Sequence, residues 1–345
     1  MKARFKKTIL NFRFDAGTSR GVLRHKPSYY LLLNDGSNTG IGECSTIKGL
    51  SIDPEETYEQ QLEELCKTIN EGKPLKTIDL SRYPSIAFGL ETALLDLQNS
   101  GKRILYESDF TNGKKPIAIN GLIWMGNPDF MQNQISDKIA QGYRCIKIKI
   151  GAIDFETEYN LIQKLRQQYS PDDLEIRLDA NGGFTANEAL AKICKLARLN
   201  IHSLEQPIKK GQIEEMSYIC RNSPIPIALD EELIGLNTDD DSQLLDYIQP
   251  HYIILKPSLI GGISMAEKWI SEAESRHIGW WATSALESNI GLNAIAQWTA
   301  TKHTQMPQGL GTGQLYDNNI PSPLEIKEAA LHYNTQLKWD INAII

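Results

Sequence analysis

The sequence has 345 residues, of which 41% are hydrophobic and 23% charged, and its formal net charge is −7. This length favours one large domain or two unequal ones, and the composition is that of an ordinary soluble globular protein. The negative charge argues against nucleic acid as a partner, because a phosphate-binding surface needs clustered Lys and Arg.

The cysteines and the N-terminal segment indicate the compartment. The five cysteines form no CxxC pair, which predicts free thiols in a reducing cytoplasm. The basic start MKARFKK is followed by Asn11, Arg13 and Asp15 where a signal peptide would have its apolar core. Since no stretch approaches the length of a membrane span, we expect a cytoplasmic protein that does not act at a membrane.

The N-terminal part predicts a small α+β domain. Strands are expected at 3–14 and 29–34, followed by helices in IDPEETYEQQLEELCKTI and PSIAFGLETALLDLQNSGK. Asp53 stands where an N-cap would, Pro54 at the first helical position, and Gly101 where the second helix would end. Strands followed by helices are typical of an α+β unit.

From about residue 116 the pattern changes to short apolar runs that alternate with amphipathic helical stretches. The runs are PIAING, CIKIKI, EIRLDA, HSLEQP, IPIALD, YIILKP, GWWATS and QGLGTG. Repeated βα units predict a parallel sheet, and these runs fit a TIM-like barrel. A doubly wound open sheet is the main alternative, but its glycine-rich phosphate turn is missing after the first run.

Polar residues stand at or beside the ends of the predicted barrel strands, about 25 to 30 residues apart, the length of one βα unit. They are Lys149, Asp179, Glu205, Asp230, Lys256 and Ser284. Taken singly, an Asp after a strand is usually a helix cap, and a KIK run is usually an exposed strand face. Three carboxylates on consecutive strands with a lysine on either side instead indicate a functional site, since strand ends meet at one rim of a barrel.

The chemistry of this set follows from its charges. Three converging carboxylates repel one another unless a cation lies among them, and oxygen-only ligands favour Mg²⁺, with Mn²⁺ as a substitute. Lysines beside such a metal suit the abstraction of a proton from a carbon next to a carboxylate. Lys147, on the same strand face as Lys149, would help to lower the pKa of that base. The predicted partner is therefore a small-molecule carboxylate.

The motifs KIKIG, RLDANGGF, LEQP, ALDEEL, LKPSLIGG and SALESNIG, in this order, resemble the muconate-lactonizing subgroup of the enolase superfamily. GIGECST and GLETALLDL resemble the capping domain of that family. The resemblance implies an α/β fold, a TIM-like modified (β/α)7β barrel with an α+β capping domain. It divides the chain into a cap at 1–112, a barrel at 113–320 and a C-terminal segment at 321–345 that packs back on the cap.

Carried over motif by motif, the resemblance also implies roles for individual residues. The metal ligands would be Asp179, Glu205 and Asp230, with Asn181 and Glu231 as their neighbours. The catalytic lysines would be Lys149 as base on one face of the substrate, Lys256 on the opposite face, and Lys147 as the residue that tunes Lys149. The substrate contacts would be Ser284, Ala285 and Gly311 in the barrel and Thr18 and Arg20 in a cap loop.

Within the superfamily the sequence most resembles the o-succinylbenzoate synthases, in particular the Bacteroidetes-type members. This implies elimination of water from a succinyl-hydroxycyclohexadiene carboxylate in menaquinone biosynthesis. The alternative is an N-acylamino acid racemase or dipeptide epimerase, which would use Lys149 and Lys256 as two bases. Dipeptide epimerases carry an Asp-x-Asp at the last barrel strand, whereas this chain has GLGTGQLYDNN there.

Two alternatives from other classes have less support, and the oligomeric state is left open. GLGTGQ could suggest a nucleotide-binding protein, but a lone glycine-rich turn without a phosphate-binding lysine is weak evidence. A barrel that keeps the metal but has lost activity is the other alternative. A homo-oligomer is compatible with everything in the sequence.

Overall fold

The computed structural model describes residues 1–18 and 21–345, with only the backbone of Thr18. The strands are β1 Lys2–Thr18, β2 Gly21–Asn34, β3 Thr39–Ser45, β4 Ile117–Ala118, β5 Gly121–Ile123, β6 Cys145–Lys149, β7 Glu175–Asp179, β8 Ser203–Glu205, β9 Ile227–Leu229, β10 Tyr252–Leu255, β11 Gly279–Ala282, β12 Leu324–Lys327 and β13 Ala330–Tyr333. The helices are α1 Tyr58–Asn70, α2 Pro84–Gln98, α3 Pro128–Ala140, α4 Phe155–Gln168, α5 Ala186–Leu196, α6 Ile213–Asn222, α7 Thr238–Asp241, α8 Gln243–Ile248, α9 Pro257–Ile260, α10 Ile263–Glu274 and α11 Asn289–Ala300. No helix in the described ranges is both long and apolar enough to cross a membrane.

The N-terminal strands β1, β2 and β3 form an antiparallel sheet in that order. Together with α1 and α2 we call this sheet the cap. One face of β2 packs on the cap helices, where Tyr29 meets Leu62, and the other face carries Tyr30, which packs with Ile290 of α11. Because both faces are buried, the apolar run YYLLL of β2 does not alternate with polar residues.

The first cap helix begins later than the sequence predicts. The expected cap Asp53 and the following Pro54 precede a 3-10 turn at Glu55–Thr57, and α1 begins at Tyr58. Asp53 Oδ1 instead accepts hydrogen bonds from the backbone N–H and the hydroxyl of Ser85, at 3.1 and 2.6 Å. The carboxylate is buried, so it bonds to the donors that the start of α2 offers.

The parallel sheet runs from β5 to β11, with each strand beside the next one in the sequence. Residues 308–309 close it into a barrel: the N–H of Gln308 donates to Ala118 O and the N–H of Gly309 donates to Ala282 O, both at 2.8 Å. The chain therefore has the predicted fold, a TIM-like (β/α)7β barrel with an α+β cap.

Two of the predicted barrel strands differ from the structure. The run QGLGTG forms only isolated parallel bridges, Gln308 with Ile119 and Gly309 with Thr283. In PIAING, β4 pairs antiparallel with β13, and the barrel strand proper is β5. The first position of the barrel is therefore shorter than the repeats suggest, because β4 pairs with the tail. The last position consists of the two bridges alone.

The C-terminal segment contacts both the barrel and the cap. β12 and β13 form a hairpin that joins β4, and Tyr333 packs edge-on against Phe110, with ring centroids 5.9 Å apart. Further on, Ile344 is buried in a cluster with Tyr30 and Leu32 of the cap sheet.

Candidate active site

The polar strand-end residues lie at one level of the barrel. In the parallel register Lys149 pairs with Asp179, and Asp179 pairs with Glu205. Asp230 follows β9 directly and Lys256 follows β10 directly. The three carboxylates therefore occupy consecutive strand ends, and the strands that carry Lys149 and Lys256 flank them.

Ammonium groups contact each carboxylate. Lys147 Nζ lies 3.0 Å from Asp179 Oδ2 and 2.6 Å from Glu205 Oε2, so one ammonium bridges two acids. Lys256 Nζ pairs with Asp230 Oδ2. All five side chains are buried, and a charge without a partner at this depth would be costly.

Lys149 has a different environment from Lys147. Its Nζ donates to Asn181 Oδ1 at 2.7 Å and lies 3.2 Å from Asp179 Oδ2. Asn181 is held in turn, since its Nδ2 donates to Glu231 Oε1 at 3.2 Å and its backbone N–H to Asp179 Oδ1 at 3.0 Å. The two predicted neighbours of the metal site, Asn181 and Glu231, thus form a chain that ends on Lys149.

The electrostatics of the cluster are dominated by burial and by the neighbouring charges. Burial and the negative charge of Asp179 raise the pKa of Glu205 to about 8. Burial alone would lower the pKa of Lys147, but Asp179, Glu205 and Asp230 together raise it. Burial would raise the pKa of Asp179, but Lys147 and the other lysines hold it well below its usual range. The pKa of Lys256 is raised by Asp230 and Glu205 against the effect of burial.

A cavity of about 240 Å³ opens above these groups, between the cap and the barrel. Its floor includes Lys147, Lys149, Asp179, Asn181 and Lys256. Its walls are mainly apolar, with the following residues: Val22, Leu23, Ile47, Leu50, Leu122, Trp124, Ala285 and Leu286. A charged floor below apolar walls is the pattern of a small-molecule site.

Two family models match the chain. One, described as Enolase C-terminal domain-like, covers residues 131–336, and the other, MenC, N-terminal domain, covers residues 16–97. The chain belongs to the enolase superfamily.

Individual relatives extend this assignment over nearly the whole chain. The o-succinylbenzoate synthase of Desulfotalea psychrophila is 47% identical, over 94% of this chain and 97% of that protein. The crystal structure of MenC from the same species has a TM-score of 0.89, with 43% identity over 96% of this chain and 99% of that one. A dipeptide epimerase from Cytophaga hutchinsonii, solved with Mg and D-Ala-L-Val, has a TM-score of 0.83 at 22% identity and covers 98% of each chain, which shows the fold alone.

Enolase-superfamily enzymes use Mg²⁺, and the donor set suits that ion in kind. Asp179, Glu205 and Asp230 offer only oxygen atoms. Burial and the charge of Asp179 raise the pKa of Glu205 even beside Lys147, and a divalent cation would oppose that effect. Among the described residues no group of three or more His, Cys, Asp and Glu side chains is already arranged to hold an ion. The ammonium of Lys147 lies between Asp179 and Glu205, so a metal would have to replace these contacts.

The predicted substrate contacts divide into two groups. Ser284, Ala285 and Gly311 line the cavity. Arg20 lies outside the described residues, and so does the side chain of Thr18. The cap loop that carries them therefore stays a prediction of the superfamily resemblance.

Sequence reasoning missed several residues of the site. Trp124 follows β5 directly, the same position that the polar residues hold after later strands, but its apolar side chain gives no sign of a site in the sequence. Lys48 lines the cavity from the cap. Gln206 follows Glu205 with φ +41° and accepts a hydrogen bond from the N–H of Asp230 at 3.2 Å. The Gln-Pro pair after Glu205 was the available signal for this backbone turn.

Proposed function

We propose that the chain is an o-succinylbenzoate synthase. It would eliminate water from 2-succinyl-6-hydroxy-2,4-cyclohexadiene-1-carboxylate to give o-succinylbenzoate, in menaquinone biosynthesis. The observation that carries the proposal is the 47% identity to an o-succinylbenzoate synthase over 94% of this chain and 97% of that protein. A family model for the MenC N-terminal domain, matched at residues 16–97, supports it independently of the barrel.

Lys149 is proposed as the base. Its neutral amine would take the proton from the ring carbon that bears the carboxylate, and its ammonium would then give a proton to the departing hydroxyl on the same face. The C–H and C–O bonds break, one water leaves, and the ring becomes aromatic. The hydrogen bond to Asn181 at 2.7 Å supports this role, because it orients the Lys149 side chain without pairing it with a further charge.

Lys256 and Lys147 are proposed as fixed cations. Lys256, across the carboxylates from Lys149, would stabilise the enediolate through its charge. Lys147, paired with Asp179 and Glu205, would keep its proton and remain a fixed cation beside the base. Asn181 and Glu231 would hold the base in place.

Asp179, Glu205 and Asp230 are proposed to hold Mg²⁺, with Mn²⁺ as a substitute. When bound, the ion would supply a Lewis acid for the carboxylate at which negative charge develops. With Lys149 as the neutral base, the ammonium groups of Lys147 and Lys256 and the three carboxylates sum to a charge of −1, which a divalent ion would change to +1. This supports an anionic substrate, in agreement with a small-molecule carboxylate as the partner.

The remaining predictions belong to the same proposal. Ser284, Ala285 and Gly311 would border the part of the substrate remote from the ring carboxylate, and Thr18 and Arg20 would approach it from the cap loop. The division into 1–112, 113–320 and 321–345 would separate the cap, the barrel and the C-terminal segment. A cytoplasmic location is part of the proposal, no nucleic acid or membrane partner is expected, and a homo-oligomer is left open.

The decisive experiment is a dehydration assay with Mg²⁺ and the cyclohexadiene carboxylate, following the appearance of o-succinylbenzoate. Lys149→Ala should lower kcat by about 10³-fold, because removal of a general base costs roughly that factor. Lys164→Ala, which changes an exposed lysine on α4, is the matched control and should keep full activity. No dehydration by the unmodified chain would refute the proposal.

An epimerase or racemase of N-acylated amino acids or dipeptides is the second candidate, because lysines flank the carboxylates on both sides. Among the described residues that line the cavity, Asp179 is the one acidic side chain, and it already pairs with Lys147. That counts against a site for a substrate ammonium. Racemisation of a dipeptide in heavy water, without dehydration of the cyclohexadiene carboxylate, would assign the chain to this class instead.

A further inference from the structure

A group of buried charges lies between the cap sheet and the barrel, outside the proposed chemistry. Lys26 and Glu43 come from β2 and β3, and Glu287 follows β11. All three are buried, Glu43 and Glu287 completely. Buried ion clusters contribute little to stability compared with apolar side chains of the same volume, so their presence suggests another role.

Glu43 binds the beginning of a barrel helix from the cap. Its Oε1 accepts from Ser28 Oγ at 2.5 Å and from the N–H of Ser288 at 2.8 Å. Its Oε2 accepts from Ser288 Oγ at 2.6 Å and from the N–H of Gly291 at 2.9 Å. Ser288 is the N-cap of α11, so a carboxylate from a distant part of the chain completes this helix terminus.

Glu287 links the start of α11 to the cavity wall, since it precedes Ser288 and bonds to Ser284, which lines the cavity. Its carboxylate accepts hydrogen bonds from Ser258 Oγ and Ser284 Oγ. Ser284 Oγ in turn accepts from Thr312 Oγ1 at 2.8 Å and from the N–H of Leu286 at 3.1 Å. A hydroxyl has one donor and two acceptor sites. The Ser284 hydroxyl is therefore fully occupied by the protein and has no donor left for a ligand.

Lys26 is the cationic residue of this group and lies near Glu43 and Glu287. Its ammonium contacts Ser45 Oγ of β3. The negative charges of Glu43, on the same sheet, and of Glu287, on the barrel, oppose the lowering of its pKa by burial. Glu43 is the member of this group whose hydrogen bonds join the cap to the barrel, and its buried carboxylate would lose the donors of Ser288 and Gly291 if the two parts moved apart.

The cavity wall next to this cluster is strained. Leu286, which lines the cavity, has φ +62°, a left-handed conformation that is costly for a residue with a side chain. Its N–H donates to Ser284 Oγ, and its carbonyl accepts from Tyr316 OH at 2.6 Å. Strain of this kind persists only where surrounding contacts fix the backbone.

We propose that Glu43 is a positioning residue, which through Ser288 and the adjoining Glu287 holds the strained wall Ser284–Leu286 in the shape that receives the succinyl chain. The inference rests on the proposed function for the identity of that chain. The wall follows β11, beside the strand end that carries Lys256, and in the sheet β7 to β10 separate it from β6, which carries Lys149. Its loss of shape should therefore affect binding of the distal part of the substrate. Proton transfer at Lys149 is not affected.

The test compares two ligands in the full-length, Mg²⁺-loaded protein. Glu43→Gln keeps the size of the side chain but replaces one acceptor by a donor. We expect KM and the dissociation constant of o-succinylbenzoate to rise about tenfold, with kcat changed by less than about threefold. Binding of benzoate, which lacks the succinyl chain, should be unchanged. A tenfold change corresponds to about 1.4 kcal/mol, the scale of one or two lost hydrogen bonds.

Cys44→Ala is the matched control. Cys44 is the next residue of β3, on the opposite face, where it packs in the cap core. The Cys44→Ala variant should have a lower Tm but an unchanged ratio of the o-succinylbenzoate and benzoate dissociation constants. If Glu43→Gln does not fold, Ser28→Ala serves instead, because it removes one donor to Glu43. It should raise the dissociation constant of o-succinylbenzoate about threefold and leave that of benzoate unchanged.

The outcomes separate the two proposals. The positioning role alone is overturned if the unmodified chain dehydrates the substrate but Glu43→Gln or Ser28→Ala leaves the ratio of the o-succinylbenzoate and benzoate dissociation constants unchanged. Equal weakening of both ligands, in proportion to the loss of Tm, also overturns it, since a purely structural role predicts that result. Absence of dehydration in the unmodified chain overturns the proposed function, and this inference with it.

Discussion

Lys147 and Lys149 stand two residues apart on one strand face and yet have different partners. Lys147 is the deeper residue and bridges Asp179 and Glu205. Lys149 reaches the amide oxygen of Asn181 and a carboxylate that Lys147 already neutralises. Loss of a proton from Lys149 therefore leaves Asp179 paired with Lys147, whereas loss of the Lys147 proton would leave the buried Glu205 without its cation. This difference makes Lys149 the better candidate for proton transfer.

Lys48 gives a prediction at the scale of single residues. It is exposed at the rim and is the cation that the described part of the cap contributes to the cavity. The proposed substrate has a second carboxylate on its succinyl chain, which a rim cation attracts. Lys48→Met should raise KM about threefold at low salt and leave kcat unchanged.

The control for this variant is Lys76→Met, which removes an exposed cap lysine that does not line the cavity. Its KM should equal that of the unmodified protein. Measuring KM from low to high ionic strength adds a second criterion, because screening should remove the difference between Lys48→Met and the parent. A difference that persists at high salt would contradict the electrostatic explanation.

At the scale of elements, Asp53 links the segment before α1 to the start of α2, and its burial there disfavours the ionised carboxylate. Burial raises the pKa of Asp53 to about 6, above its value in the unfolded chain. Between these two values the folded state binds more protons than the unfolded state, so the free energy of unfolding falls as pH rises through this range. The carboxylate therefore costs stability near neutral pH.

Asp53→Asn should accordingly stabilise the protein, and more so at pH 8 than at pH 5. Asn keeps the oxygen that accepts from Ser85 but carries no charge. The difference between the two pH values should be about 1 kcal/mol, from a shift of roughly two pKa units that is only partly expressed at pH 5. Tm of the parent and the variant, measured at both pH values, tests this, and an equal gain at both would contradict it.

The crossing of β3 and α2 depends on the absence of two side chains. A Cβ at Gly42 would lie 1.8 Å from the carbonyl oxygen of Gly89, and a Cβ at Gly89 would lie 2.2 Å from Cys44 Sγ. Both glycines stand in the motifs GIGECST and GLETALLDL that marked the cap in the sequence. Their role is therefore close backbone contact.

Gly42→Ala should destabilise the cap by about 3 kcal/mol or more, since backbone atoms cannot yield as a flexible side chain can. Gly72→Ala is the control: no atom lies within 4 Å of its Cβ, but its φ of +72° is unfavourable for Ala. It should cost only about 1 kcal/mol. Denaturant unfolding followed by circular dichroism measures both, and equal losses would contradict the packing argument.

At the scale of the whole molecule, the barrel and the set of strand-end residues are largely predictable from sequence. The reason is that each βα unit repeats the same hydrophobic pattern, and parallel strands bring their carboxyl ends to one rim. Lys149, Asp179 and Glu205 stand at one level because of that geometry alone. The sequence predicts the place of the eighth barrel position, QGLGTG, but not its form, since residues 308–309 contribute isolated bridges that are too short to show a period.

Contacts between distant segments are the part that sequence does not reveal. Glu43 and Ser288 are 245 positions apart, and neither stands in a pattern that indicates the other. The same is true of Asp53, which looks like a helix cap but bonds to Ser85 of another helix. Local propensity describes short stretches, whereas these pairs depend on how two finished elements meet.

The balance of charge in the barrel predicts how the molecule responds to metal removal. The Lys147 ammonium lies between Asp179 and Glu205, so these acids keep a positive neighbour when no ion is bound. A chelator should abolish activity but lower Tm by only a few degrees, since no carboxylate is left without a partner. Replacement of Lys147 by Met should make the metal-free protein much less stable, and an equal response of both proteins would contradict this.

The bridging lysine gives the barrel a built-in counterion. Metal uptake then becomes an exchange of one cation for another, and folding does not require the metal ion. The chain can complete its barrel and close its cap during a shortage of metal, and be loaded afterwards without refolding.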